Sequence, residues 1–118
     1  MLFRSGLIHR YWQHRLAEHL KTCGYNVEIE APVGDGKAID IVAERDGKRT
    51  AFEIETGNSD VVSNVQKCFD AGMDMVAVIA TSKATKDALA QIVPKQSKIK
   101  ILTGSEAIEH AYLSEYLK

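Results

Sequence analysis

Apolar residues recur every four positions from Ile8 through Trp12 and Leu16 to Leu20, and Gly24 follows where such a stripe stops. That spacing predicts a helix over about residues 5–23. At Tyr25 the period drops to two. Tyr25, Val27 and Ile29 alternate with Asn26, Glu28 and Glu30, which predicts a half-buried strand to Ala31. Pro32-Val-Gly-Asp-Gly-Lys37 reads as a loop by its Pro and Gly content. Alternation returns over 38–44 and 49–55, on either side of Arg45-Asp-Gly-Lys48.

Thr56-Gly57-Asn58 breaks that strand, and Asn58 or Ser59 can cap a helix over about 60–71. Met75 to Ala80 is a continuous apolar run, as a strand covered on both faces requires. Ser82 can cap a short helix to Ile92, and Pro94 follows its end. Lys98 to Leu102 alternates as a last strand. A terminal helix starts at Thr103 or Ser105, with Ala107, Ile108, Ala111, Tyr112 and Leu113 as its apolar face. The order is αβββαβαβα: an α/β fold with a mixed sheet flanked by helices. Three strands form an antiparallel meander, and a right-handed crossover makes the fourth parallel to the third. Without an internal repeat or linker, residues 1–118 read as a single domain.

The Asp46-Gly47 pair carries the chemistry. Asp-Gly between alternating apolar runs signals a two-residue hairpin turn of the primed type. Arg45 then pairs with Lys48, Glu44 with Arg49, Ala43 with Thr50 and Ile41 with Phe52, so Asp40 lies opposite Glu53. A period of two puts Glu55 on the same face as Glu53. Three carboxylates on one patch need a compensating cation, because like charges directly opposite each other destabilise a hairpin. A divalent metal is the simplest such cation. The competing reading makes Glu53 and Glu55 the solvent face of an edge hairpin, although exposed edges usually carry lysine or mixed charge.

Composition narrows the picture. The chain has 118 residues, 45% apolar and 26% charged, which is ordinary for a soluble globular domain. No apolar run is long enough to span a bilayer, and Met-Leu-Phe-Arg-Ser-Gly lacks a signal peptide's apolar stretch. The expectation is a cytoplasmic protein with no membrane partner. Cys23 and Cys68 offer neither a disulfide framework nor zinc spacing and read as small core residues. Net charge is −1, but Lys83, Lys86, Lys95, Lys98 and Lys100 form a local basic strip against a single Asp87. Such a strip can attract phosphate, or it can be a solvated helix face. Pro32-Val-Gly-Asp-Gly-Lys37 lacks P-loop spacing and precedes a strand, which sets nucleotide binding aside.

With Asp on the second strand and Glu-x-Glu on the third, the chain resembles the PD-(D/E)XK nuclease superfamily over roughly residues 5–80. That group includes restriction endonucleases, Holliday-junction resolvases and repair nucleases. The resemblance implies a restriction-endonuclease-like sheet. It implies Asp40 and Glu53 as ligands of Mg²⁺, with Mn²⁺ as substitute, and Glu55 at the motif's lysine position. A carbonyl near Ile54 is a further candidate ligand. Lysine is the usual residue where Glu55 stands, and in some members it has moved to the following helix. Lys67 fits that relocation, on one flank of the helix with Asp60 and Asn64, a flank that reads equally as plain helix surface, while Gln66 falls on the other flank and ranks below it.

The superfamily often uses a glutamate on its first helix as a further metal ligand, for which Glu18 is the sequence candidate, in poor helical phase. His9, inside the apolar stripe and flanked by Gln13, is the better-placed group to reach the site or a phosphate, although its place in the stripe favours a satisfied, half-buried histidine. Asn64, Lys83 and Lys86 complete the candidates for substrate binding. His14, His19 and His110 read as surface residues, and Tyr11 and Trp12 as core or dimer contacts rather than base-stacking platforms. The implied activity is metal-dependent endonucleolytic hydrolysis of DNA, directed by DNA structure. The implied state is a homodimer, or a module partnered with an ATPase or helicase. A nuclease-like domain that binds DNA or assembles without cutting is the alternative.

Overall fold

The computed structural model describes residues 2–57 and 60–109, with side chains described from residue 6 onward. Helix α1 (Leu2–Thr22) is followed by β1 (Asn26–Gly34), β2 (Lys37–Arg45) and β3 (Lys48–Glu55). Then come α2 (Val61–Asp70), β4 (Met75–Ala80), α3 (Lys83–Ala90), β5 (Ile99–Thr103) and α4 (Gly104–Ile108). The strands lie in the order β1-β2-β3-β4-β5 in one sheet. β1–β2 and β2–β3 are antiparallel, β3–β4 and β4–β5 parallel.

α1 ends as its sequence predicts. Gly24 takes φ 93, and the N–H groups of Gly24 and Tyr25 return to the carbonyls of Lys21 and Leu20. This is a Schellman stop, which glycine enters without steric cost. Leu16, Ala17 and Leu20 pack with Ile41, Phe52, Ile54, Ile79 and Ala107 on the α1/α4 face of the sheet. The other face packs Val61, Val65 and Cys68 of α2 and Leu89 of α3 against Val42, Ala51, Val76 and Val78. With both faces covered, β4 is buried from Val76 to Ala80, as its unbroken apolar run requires. Ile8, expected in the helical stripe, instead stands exposed, as do Tyr11 and Val62.

The expected loop at 32–37 is the main departure. β1 continues through Pro32 to Gly34, and only Asp35-Gly36 turns. Asp35 and Gly36 have φ 55 and 70, close to the 55 and 78 of Asp46 and Gly47. Both Asp-Gly pairs are therefore primed hairpin turns with left-handed central residues. Pro32 is tolerated because β1 is an edge strand. A register irregularity between Pro32 and Gly34 adds one residue to β1, and this sets which residue faces Asp40.

Asp60 caps α2 by accepting the Ser63 N–H. The expected caps Asn58 and Ser59 lie outside the described residues. α3 is capped by Ser82 and ends at Ala90, before the expected Ile92. Thr103 and Glu106 form a reciprocal capping box at α4. His110, Ala111, Tyr112 and Leu113 also lie outside the described residues.

Candidate functional site

The turn at 46–47 sets the register expected for it, from Arg45↔Lys48 to Ile41↔Phe52. One rung further, side chains take over from the backbone ladder. Glu53 Oε2 accepts the Asp40 N–H at 3.0 Å, and Asp40 Oδ2 accepts the Ile54 N–H at 2.8 Å. Asp40 and Glu53 are thus neighbours at the expected position, each bonded to the other's strand.

The remaining oxygens are held by the two helix layers. Asp40 Oδ1 lies 3.0 Å from His9 Nε2 of α1. Glu53 Oε1 lies 3.1 Å from Lys67 Nζ of α2, which also donates to the Ala38 carbonyl at 2.9 Å. Glu55 Oε2 accepts from Asn64 Nδ2 at 3.1 Å. α2 therefore brings in both Asn64 and Lys67, the flank its sequence pattern marked. Glu53 is 3% exposed and Glu55 1%, which overturns the edge-hairpin reading. β3 is the middle strand of the five, and α2 covers these carboxylates.

Two residues at the site escaped the sequence reading of chemistry. Ile29↔Ile41 and Ala31↔Ile39 flank Glu30, which places Glu30 opposite Asp40 on the other side of β2. Glu30, Asp40 and Glu53 therefore share one rung across three strands. Glu30 has φ 54, a left-handed conformation that costs an ordinary side chain about 1–2 kcal/mol. Gln13, buried in α1, donates through Nε2 to Glu30 Oε1 at 3.3 Å and to the Asp40 carbonyl at 3.0 Å. Applying the Asp-Gly rule at 35–36 would have brought β1 near Asp40. The bulge that selects Glu30 over Ala31 has no comparable sequence signal.

Other candidates lie elsewhere. Glu18, 75% exposed on α1, pairs with Lys21 and is not brought to Asp40, as its poor phase foretold. Gln66 is exposed and bonds Asp70 on its own helix. Lys83 pairs with Asp87 at 2.8 Å, and Lys86 with Glu106 at 2.8 Å. His14, His19 and Glu18 border a depression on the outside of α1.

Burial pushes the Glu53 carboxyl up to about 7, and the Asp40 charge pushes the same way. The Asp40 N–H and the Lys67 ammonium oppose both without cancelling them. His9 is raised by its hydrogen bond to Asp40 and by the charges of Asp40, Glu30 and Glu53, against the lowering effect of burial. Burial also lifts the Cys68 thiol to about 12, so this core cysteine stays protonated.

Among the described residues, no three His, Cys, Asp or Glu side chains stand close enough to hold a metal by themselves. The expected trio of carboxylates therefore does not form one ligand group, and Asn64 holds Glu55 at 3.1 Å. Asp40 and Glu53 remain as a pair. Two hard oxygen donors fit Mg²⁺, which takes one or two carboxylates and completes its shell with water and phosphate oxygens.

No family model and no curated protein matches the chain. Among solved structures, it is similar to the crystal structure of a protein of unknown function, AF1548, with a TM-score of 0.52 and 20% identity. The match covers 89% of this chain and 66% of that chain, so this chain spans just under two thirds of its neighbour's length. The likeness supports the mixed α/β fold and carries nothing about chemistry.

Proposed function

We propose that this chain is a metal-dependent endonuclease that hydrolyses DNA phosphodiester bonds. The observation behind the reading is the Asp40–Glu53 pair, joined across β2 and β3 with the Lys67 ammonium on Glu53. Asp on β2 and Glu-x-Glu on β3 is also the placement in which the chain resembles the PD-(D/E)XK nucleases.

Asp40 and Glu53 would hold Mg²⁺ or Mn²⁺, which when bound supplies phosphoryl polarisation and an acidified water. Lys67 pairs with Glu53 and offers its ammonium to the attacking oxygen or the phosphate, the place usually filled from the Glu55 position. Glu55, positioned by Asn64, is the candidate acceptor for the proton of the nucleophilic water. His9 fixes Asp40 through its Nε2, and Gln13 fixes the backbone that carries Asp40.

Recognition of DNA structure rather than sequence is part of the proposal. Paired sites in a homodimer would cut both strands, and an ATPase or helicase partner would deliver substrate. Among the described residues no helix is long and apolar enough to cross a membrane. Residence in the cytoplasm is part of the proposal.

One observation favours the second reading, a nuclease-like domain that binds DNA or assembles without cutting. Each oxygen of Asp40 and Glu53 already receives a protein donor. Incubating branched, duplex and single-stranded DNA with the protein, with and without Mg²⁺ or Mn²⁺, separates the two. Metal-dependent scission that disappears in Asp40→Asn supports the enzyme. Binding without scission in either metal supports the second reading.

A further inference from the structure

We propose that a cavity at the carboxyl ends of β4 and β5, walled by Trp12, receives a nucleobase of the substrate strand. The proposal deepens the nuclease reading by naming what the site grips beside the reacting phosphate, and its test is independent of cleavage.

Position is the first argument. Glu55 pairs with Ala80, and Ala80 with Thr103. Neighbouring strands lie about 4.8 Å apart, so the Thr103 backbone is roughly 10 Å from that of Glu55. A cavity of about 350 Å³ opens there between Trp12, Ser82, Lys83, Thr103, Gly104 and Glu106. Carboxyl ends of parallel strands are where α/β sheets take their ligands. Trp12 also stands three residues after His9 on α1, so the helix surface that holds Asp40 continues into this wall.

Chemistry is the second argument. The benzo ring of Trp12 lies against the backbone of Gly104, where any Cβ would collide with it. That contact fixes the ring, which also lines the cavity, and aromatic side chains stack bases of any identity. Glu106 makes the cavity unsuited to phosphate. The Lys86 ammonium and the Thr103 N–H, both bonded to Oε1, hold its carboxyl below the usual range. A carboxylate repels phosphate but accepts hydrogen bonds from exocyclic amino groups such as that of cytosine. Lys83 borders the same cavity and supplies a cation for the phosphate of that nucleotide. An aromatic wall, an amino-group acceptor and a bordering ammonium match a nucleotide with an amino-bearing base. Trp12 thus serves as the stacking platform that its place in the apolar stripe argued against.

Trp12 is the sole tryptophan of the chain, so its fluorescence reports this cavity directly. The test titrates the full-length protein with short single strands of dA, dC or dT and with an abasic strand of equal length. The dA and dC strands are expected to quench Trp12 and to bind roughly five- to a hundredfold more tightly than the abasic strand. Glu106→Gln retains the capping-box acceptor and should narrow the preference for dA and dC over dT. Equal binding and quenching by the abasic strand would identify a phosphate site and overturn the proposal. Fluorescence unmoved by any strand overturns it too, as does an undiminished preference in Glu106→Gln. The wild-type comparison with the abasic strand needs no variant to fold. Asp40→Asn should quench as wild type does, so loss of cleavage and loss of base binding are separable failures.

Discussion

Glu53 accepts the backbone N–H of Asp40 at 3.0 Å while Asp40 accepts that of Ile54 at 2.8 Å, so two acidic side chains replace the ladder between β2 and β3. Asp40 therefore has a structural duty that survives conversion to the amide. Asp40→Asn keeps an acceptor for the Ile54 N–H and is expected to cost less than about 1 kcal/mol. Asp40→Ala strands that buried N–H and should cost about 1–3 kcal/mol. Urea denaturation of the two variants in metal-free buffer measures the difference.

Lys67 neutralises a carboxylate that is only 3% exposed. Lys67→Met leaves Glu53 buried without its cation, and breaking such a pair costs up to about 3–5 kcal/mol. The loss should be largest above the folded-state pKa of Glu53, about 7, because below it Glu53 protonates instead. Adding Glu53→Gln to Lys67→Met should restore much of the stability, as a double-mutant cycle by denaturation would register.

The raised Glu53 pKa gives stability a definite slope. Folded Glu53 holds its proton up to about 7, whereas its ordinary value is 4.5, so in that window the folded state binds more protons. Its contribution is therefore present at acidic pH and lost as pH rises from the ordinary value through about 7. His9, also raised, has the same sign and loses its contribution as pH rises through its own folded value. Glu53→Gln should flatten the metal-free stability profile by an amount of the order of 3 kcal/mol across the window. A wild-type profile parallel to that of the variant contradicts the shift.

Glu30 sits at φ 54 beside Asp40, and backbone strain of this kind tends to collect at functional sites. Glu30→Gly removes the left-handed penalty at the expense of added freedom in the unfolded chain. The expected net effect is a gain of up to about 1 kcal/mol together with slower DNA cleavage. Thermal melts and initial cleavage rates of the one variant report both halves.

Local signals carried the site a long way. The Asp46-Gly47 turn and strict alternation located Asp40 and Glu53 by counting pairs, and the apolar stripe of α2 placed Asn64 and Lys67 on the flank that meets them. Helical phase likewise separated His9 from Glu18. What stayed hidden came from contacts between elements. Asp35-Gly36 is the same dipeptide as Asp46-Gly47, yet Pro32 and Gly34 beside it give the composition of a loop. The bulge in β1, which brings Glu30 to the rung, follows from packing and twist rather than residue type. The exchange of ladder bonds for carboxylate bonds at Asp40 also needs three dimensions, since counting pairs predicts only adjacency. The covering of Glu53 and Glu55 by α2 decided between a solvent face and a buried site.

The most direct measurement is strand scission of supercoiled and branched DNA by wild type and Asp40→Asn, each titrated with Mg²⁺ and Mn²⁺. Nicking or linearisation should rise with metal in wild type and fall by more than about a hundredfold in the variant. Equal cutting by both proteins, or intact DNA in either metal despite binding, would contradict a metal-dependent nuclease centre at Asp40 and Glu53.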